Sequence, residues 1–121
     1  MNDDFPFKRL KAWNKSVALF EIVHNAINKE KRVKSYRLQE QLYACTSSIS
    51  MNIAEGAGRY SKKEFARFLY IARGSLFEMV TLIHLFKKMT LISEADENEI
   101  NNKAFELIKM LNKLISSIKE N

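Results

Sequence analysis

Apolar residues recur at alternating steps of three and four in four successive segments of this 121-residue chain, and only short polar breaks separate them. That rhythm lines one face of an α-helix, whereas a half-buried strand would alternate with period two. In the first segment the stripe is Leu10, Trp13, Val17, Phe20, His24 and Ile27, starting just after Pro6, a residue tolerated only before a helix or in its first turn. The second carries Leu38, Leu42, Cys45, Ile49 and Asn52 or Ile53, with Ser35 placed to cap it. The third runs Phe65, Leu69, Ala72, Leu76, Met79, Ile83 and Phe86, and the fourth Ile100, Ala104, Leu107, Leu111, Leu114 and Ile118, behind Ser93 as a cap with Asp96 in the acidic role. The spacing predicts helices over about 7–28, 36–55, 62–89 and 94–119. Breaks this short make neighbouring helices antiparallel. The expected fold is therefore all-α: a single up-down-up-down antiparallel four-helix bundle, left-handed in its packing because the repeat is near 3.5.

Length and composition agree. The chain suits one domain with one core, and its 46% hydrophobic and 28% charged residues, with three glycines and one proline, describe an ordered chain poor in turns. No cationic segment leads into an apolar run and a small-residue cleavage site, and uncharged apolar stretches fall short of the ~18 residues a membrane helix needs. A cytoplasmic protein with no membrane partner is expected. Cys45 has no second cysteine to pair with and reads as a small core residue.

The break between the second and third segments has the densest chemistry. Gly56 and Gly58 are expected to end a helix by taking positive φ, and Ser61 with Glu64 three residues on forms a capping box. Asn52, on or beside the core stripe, needs hydrogen-bond partners, and Glu55 and Arg59 straddle the glycines within ion-pair reach. These residues are expected to maintain the turn. On the third helix, Lys63, Arg67, Tyr70, Gly74, Phe77 and Thr81 point away from the core stripe. Two aromatics around a mid-helix glycine, on a side that should face water, mark Tyr70, Gly74 and Phe77 as an expected subunit interface. The first segment is apolar almost all round from Val17 to Val23, as a helix buried on two sides would be.

The formal charge is +6 and the sequence pI is near 9.5. Such a surface attracts polyanions. The excess lies in the first half, with ten basic and six acidic residues up to Tyr60 against ten and eight afterwards. Lys8, Lys11 and Lys15 form one stripe, Arg32 and Lys34 lie in a basic loop with Lys29, Lys31 and Arg37, and Arg59, Lys63 and Arg67 gather with Lys62 around the second turn. The first, second and third of these sets are the expected nucleic-acid contacts. The acidic start of the fourth segment, Glu94, Asp96, Glu97 and Glu99, reads as solvated and matched to the helix dipole.

No residue pattern organises catalysis. Glu21 and His24 have the Glu-x-x-His spacing of di-iron bundles, but His84 has Thr81 three residues before it, so the required second motif is missing. His24 then reads as a hydrogen-bonded core histidine. Cys45 lacks companions at zinc-ligand spacing, no nucleophile elbow is present, and Gly56-Ala57-Gly58 lacks the lysine and serine of a phosphate loop. A non-enzyme without metal or cofactor is expected.

The run from Ser48, Ile49, Asn52, Ile53, Ala54, Glu55, Gly56, Gly58, Arg59 and Ser61 through Lys63, Glu64, Phe65, Phe68, Leu69, Ile71, Ala72, Gly74, Ser75 and Glu78 closely resembles the signature of a bacterial family. It is the family named after proteins encoded in 23S rRNA intervening sequences, related to the accessory protein of diversity-generating retroelements. The likeness extends to the opening at Phe7, Lys8, Leu10 and Trp13. It implies a four-helix bundle that assembles as a ring-shaped homopentamer, and, by its retroelement relatives, binding of nucleic acid and of a reverse transcriptase. Ser50 departs from the family's frequent proline, which suggests a straighter second helix, and the loop before that helix is unusually basic. The resulting expectation is a non-enzymatic, homo-oligomeric bundle that binds RNA or other nucleic acid through a basic surface and presents it to a reverse transcriptase or other protein partner. The alternative is a homo-oligomeric protein-interaction scaffold without nucleic-acid binding.

Overall fold

In the computed structural model, which describes residues 5–29 and 35–119, a 3-10 turn at Pro6–Arg9 leads into four helices. They are α1 (Lys11–Ile27), α2 (Tyr36–Ala57), α3 (Lys62–Lys88) and α4 (Glu94–Lys119). Cross-helix contacts give their directions. The start of α1 meets the end of α2 through Ser16 and Ser50, while its end meets the start of α2 through His24 and Tyr43. Ser48 bonds Ser75 between α2 and α3, and from α3 to α4 the pairs descend in register as Tyr70–Lys119, Arg73–Asn112 and His84–Glu97. Lys29, after α1, closes the ring of helices onto Asp96 at the start of α4. Each helix is thus antiparallel to both neighbours, α1 lies diagonally across from α3, and the fold is the up-down-up-down bundle.

One cluster fills the interior, with Leu19, Leu42, Ile49, Leu69, Leu76, Ile83, Ile100, Leu107 and Leu111 among its fully or almost fully buried members. The stripes expected for α2, α3 and α4 run along it, and at the end of α2 it is Ile53, not Asn52, that faces in. Cys45 is buried there too, and burial, with Glu78 second, pushes its thiol up to about 11. α3 is long and apolar enough, by length and composition alone, to cross a membrane, although charged residues interrupt its apolar runs. Eight residues of this helix are buried in the bundle.

The first helix departs most from expectation. Phe7 to Arg9 belong to the 3-10 turn, and Leu10 is extended (φ −78°, ψ 126°), so the α-helix begins at Lys11 and not near Phe7. Asn14 holds the junction by donating to the carbonyls of Lys8 and Leu10. The buried arc is Ala12, Ser16, Leu19, Val23, Ala26 and Ile27, one residue back from the expected stripe along most of its length, a rotation of about 100°. Small residues explain it: Ala12, Ser16 and Ala26 let neighbouring helices approach, and Ser16 bonds both Ser50 and the Trp13 carbonyl at 2.7 and 2.6 Å. Trp13 is half-buried against Phe7, and His24 is exposed, bonded to Tyr43 at 2.6 Å, so it is not a core histidine.

Neither glycine near the second turn has positive φ. Gly58 caps α2 at φ −84°, and α2 runs on to Ala57, two residues past its expected end. Among the described residues the left-handed one is Thr90 (φ 58°), after α3. Leu91 N–H reaches Phe86 and Thr90 N–H reaches Lys87, both at 2.9 Å, the bonds of a Schellman cap, with threonine where glycine is usual. A β-branched residue is strained at such a φ. Thr90→Gly is expected to raise stability by about 1 kcal/mol, read as a higher urea midpoint at unchanged slope. An unchanged or lower midpoint would show that the threonine side chain compensates for the strain.

Candidate nucleic-acid interface

Antiparallel order places the start of α1, the end of α2, the start of α3 and the end of α4 at the same end of the bundle. Two basic sets far apart in sequence therefore share that end. Lys8, on the 3-10 turn, is separated from Lys11 and Lys15 by the extended Leu10, so the three do not form one helical stripe; Lys11 and Lys15 alone share a helix, one turn apart. Arg59, Lys63 and Arg67 stand at the diagonal corner, on the α2–α3 turn and first turns of α3. All six are exposed. Arg32 and Lys34 lie outside the described residues.

The end of α4 joins the two corners. A groove of about 600 Å³ runs between α3 and α4, lined by Lys62, Lys63, Arg67, Tyr70, Ile118 and Lys119 among others. A second groove, of about 440 Å³, runs between α4 and α1, lined by Lys11 and Lys113 together with Leu10, Met110 and Leu114 among others. Lys62 is legible in the sequence beside the turn, but Lys113 and Lys119 are not, because α4 reads as acidic at its start. Its topology would have found them, since an antiparallel fourth helix must bring its C-terminus back to the first and third N-termini.

The carboxylates at this end are committed. Glu55 binds Arg59 at 2.9 Å and Glu64 binds Arg67 at 3.0 and 3.3 Å, exposed pairs worth little to stability. The Arg67 guanidinium holds the Glu64 carboxyl below its ordinary value, and Glu64 raises Arg67 in turn. Both arginines also lie over the Phe68 ring, at 4.9 and 4.6 Å. Among the described residues, Lys8, Lys11, Lys15, Lys62, Lys63 and Lys113 have no ion-pair partner, although Lys63 is near enough to help hold the Glu64 carboxyl down.

Of the four acids expected to be merely solvated, Glu94 and Glu99 are exposed and the other two are not. Asp96 and Glu97 are buried at the opposite end, where Asp96 accepts from Lys29 at 2.7 Å and Glu97 meets His84 at 2.8 Å. The Asp96 carboxylate raises the Lys29 ammonium above its usual value. Lys29 is thereby a structural clasp between α1 and α4.

The turn residues divide by role. Ser61 accepts from the Glu64 N–H at 2.9 Å, the first half of a capping box, while the Glu64 side chain goes to Arg67 in place of the second half. Asn52 sits a full turn before the end of α2 and donates to Ser48 O and Oγ at 2.8 and 2.9 Å, so it acts on the α2–α3 seam through the Ser48–Ser75 pair and not on the turn. Gly56 is buried at that seam: an added Cβ would lie 2.8 Å from Phe68 Cβ and 3.2 Å from the Phe65 carbonyl. Gly74 is the reverse, exposed, with nothing within 4 Å of the same construction. Tyr70, Ile71 and Phe77 beside it and Leu85 farther along α3 are exposed, as is Met89 at the C-cap. Tyr70 leans toward α4, where Lys119 donates to its hydroxyl at 3.4 Å. No group of three or more metal-ligating side chains exists among the described residues.

The chain matches no curated protein. It is similar to a solved structure of a protein of unknown function from the S23 ribosomal protein family of Bacteroides thetaiotaomicron VPI-5482, with 25% identity, 86% of this chain and 97% of that chain covered, and a TM-score of 0.74. The family described as 23S rRNA-intervening sequence protein matches residues 8–113, which include the α2–α3 seam, its turn and most of the basic end. With all but the two ends of the sequence inside that match, the chain belongs to the 23S rRNA-intervening sequence protein family.

Proposed function

We propose that this protein is a non-enzymatic, self-associating four-helix bundle of the cytoplasm whose basic end binds nucleic acid, RNA foremost, and presents it to a partner such as a reverse transcriptase. The observation that carries the reading is the concentration of charge: unpaired lysines from α1, α3 and α4 converge on one end, whereas the other end, which also carries Arg37 and Lys88, holds the buried acids Asp96 and Glu97. Such a field steers polyanions. Self-association supports it further. Gly74 costs a mid-helix position about 1 kcal/mol and meets nothing inside its own chain, while exposed Phe77, Ile71 and Leu85 share its side of α3. That expense is rational where a second backbone approaches, and in a homopentamer five charges of +6 would sum to roughly +30.

The test is retention on RNA at graded salt. Neutralised phosphates release counterions, so log affinity is expected to fall linearly with log salt. Changing Lys8, Lys11 and Lys15 together to glutamine should flatten that slope by about two to three units and leave the helical signal intact, glutamine being nearly as good a helix former as lysine. Absence of binding by the wild-type protein to hairpin, duplex and single-stranded RNA and DNA at low salt would leave the scaffold reading in its place.

A further inference from the structure

The groove between α3 and α4 is not a plain basic surface. Lys62, Lys63 and Arg67 line its α3 side, Lys119 closes it from the last turn of α4, and Ile118 and Tyr70 supply an apolar wall and an aromatic ring. Among the described residues Glu64 is the one carboxylate that lines it, and it is bonded to Arg67. The ring is prepared on both counts that matter for stacking. Arg73 lies over it at 4.9 Å, held by a 2.6 Å bond to Asn112, and the Lys119 ammonium is 5.6 Å from its centroid at the end of a long side chain.

A volume of about 600 Å³ is within the range that holds a small organic ligand. Cations around an aromatic wall suit a ligand that is itself a flat ring attached to an anion. We propose that this groove takes one unpaired nucleotide, its base stacked on Tyr70 and its phosphate between Lys119 and the Lys62–Lys63 pair, so that the basic end selects single-stranded over duplex nucleic acid. An entering base displaces the Lys119 ammonium from the ring, and the displaced ammonium then meets the phosphate of the same nucleotide. A paired base cannot do this without leaving its stack, which costs a duplex free energy that a single strand does not spend. Stacking on an aromatic ring is tolerant of base identity, so selection acts on strandedness and not on sequence. This inference rests on the nucleic-acid reading above and adds to it a base-dependent component that lysines alone cannot supply.

Fluorescence anisotropy of the full chain with three labelled probes separates the two: an oligothymidylate strand, a duplex of the same length, and an abasic strand with the same number of phosphates. The wild-type protein is expected to bind the thymidylate strand about tenfold more tightly than the abasic one. Tyr70→Leu should erase that difference and leave duplex affinity within about twofold, while Tyr70→Phe, which keeps the ring, should retain it. Melting of each variant at the wild-type temperature and sedimentation at the wild-type mass establish that the bundle and its assembly are intact. Equal wild-type affinity for thymidylate and abasic strands, or a preference that survives in Tyr70→Leu, overturns the inference while the basic-surface reading stands. Wild-type binding to none of the three at low salt overturns both.

Discussion

Gly56→Ala is expected to destabilise the bundle by about 1–2 kcal/mol, and Gly56→Leu to prevent native packing of α2 against α3. The new methyl would sit 2.8 Å from Phe68 Cβ, 3.0 Å from Phe65 Cδ1 and 3.2 Å from the Phe65 carbonyl oxygen. Two of those three atoms are fixed to the α3 backbone, so relief requires the helices to separate along the seam that Ser48 and Ser75 hold together. Alanine gains about 1 kcal/mol of helix propensity, which offsets part of the overpacking but not all of it. The same exchange at Gly74, where nothing lies within 4 Å, should reverse sign in the dissociated chain and stabilise by about 0.5–1 kcal/mol. Urea unfolding of both variants decides the matter. Equal effects at the two positions would mean that close approach at Gly56 is not what its lack of a side chain serves.

A second large effect is expected in solution mass. Gly74→Leu places a bulky side chain on the outer face of α3 without touching the intramolecular core, because the position is exposed and open. If α3 meets another copy there, micromolar protein should sediment as a monomer with undiminished helix content, and Phe77→Ser should shift the same equilibrium in the same direction. Phe77 is 57% exposed in the single chain, so its replacement by serine carries little cost within the subunit. Sedimentation of Gly74→Leu at the wild-type mass, with wild-type stability, would move the subunit contact elsewhere.

Much of the site was legible in the sequence, but not its arrangement. Arg59, Lys63 and Arg67 could be placed beside the turn because a glycine-containing break and a serine cap bracket them within a few residues. Lys113 and Lys119 could not be placed from spacing alone, because their neighbours at that end come from α1 and α3, far away in the chain. The exposed side of α3 was readable for a related reason. Its core stripe is sharp, so the opposite side is equally defined, and Gly74 and Phe77 are found there.

By itself the sequence determined the number of helices, their order and their antiparallel sense, and it located the faces of α2, α3 and α4 to within a residue. Those features are local, set by 3.6-residue periodicity, caps and loop length, and each can be read over a few turns. The tertiary structure alone decided the facing of α1, the use of Gly56, and the fate of Asp96 and Glu97. A helix apolar nearly all round has no unique inward side until its neighbours choose one, and α2 and α4 chose the arc with Ala12, Ser16 and Ala26. Gly56 was expected to supply backbone freedom and instead supplies space, a demand created by Phe65 and Phe68 on another helix. Asp96 and Glu97 are buried because Lys29 and His84 arrive from other elements to pair with them, and no periodicity within α4 carries that information.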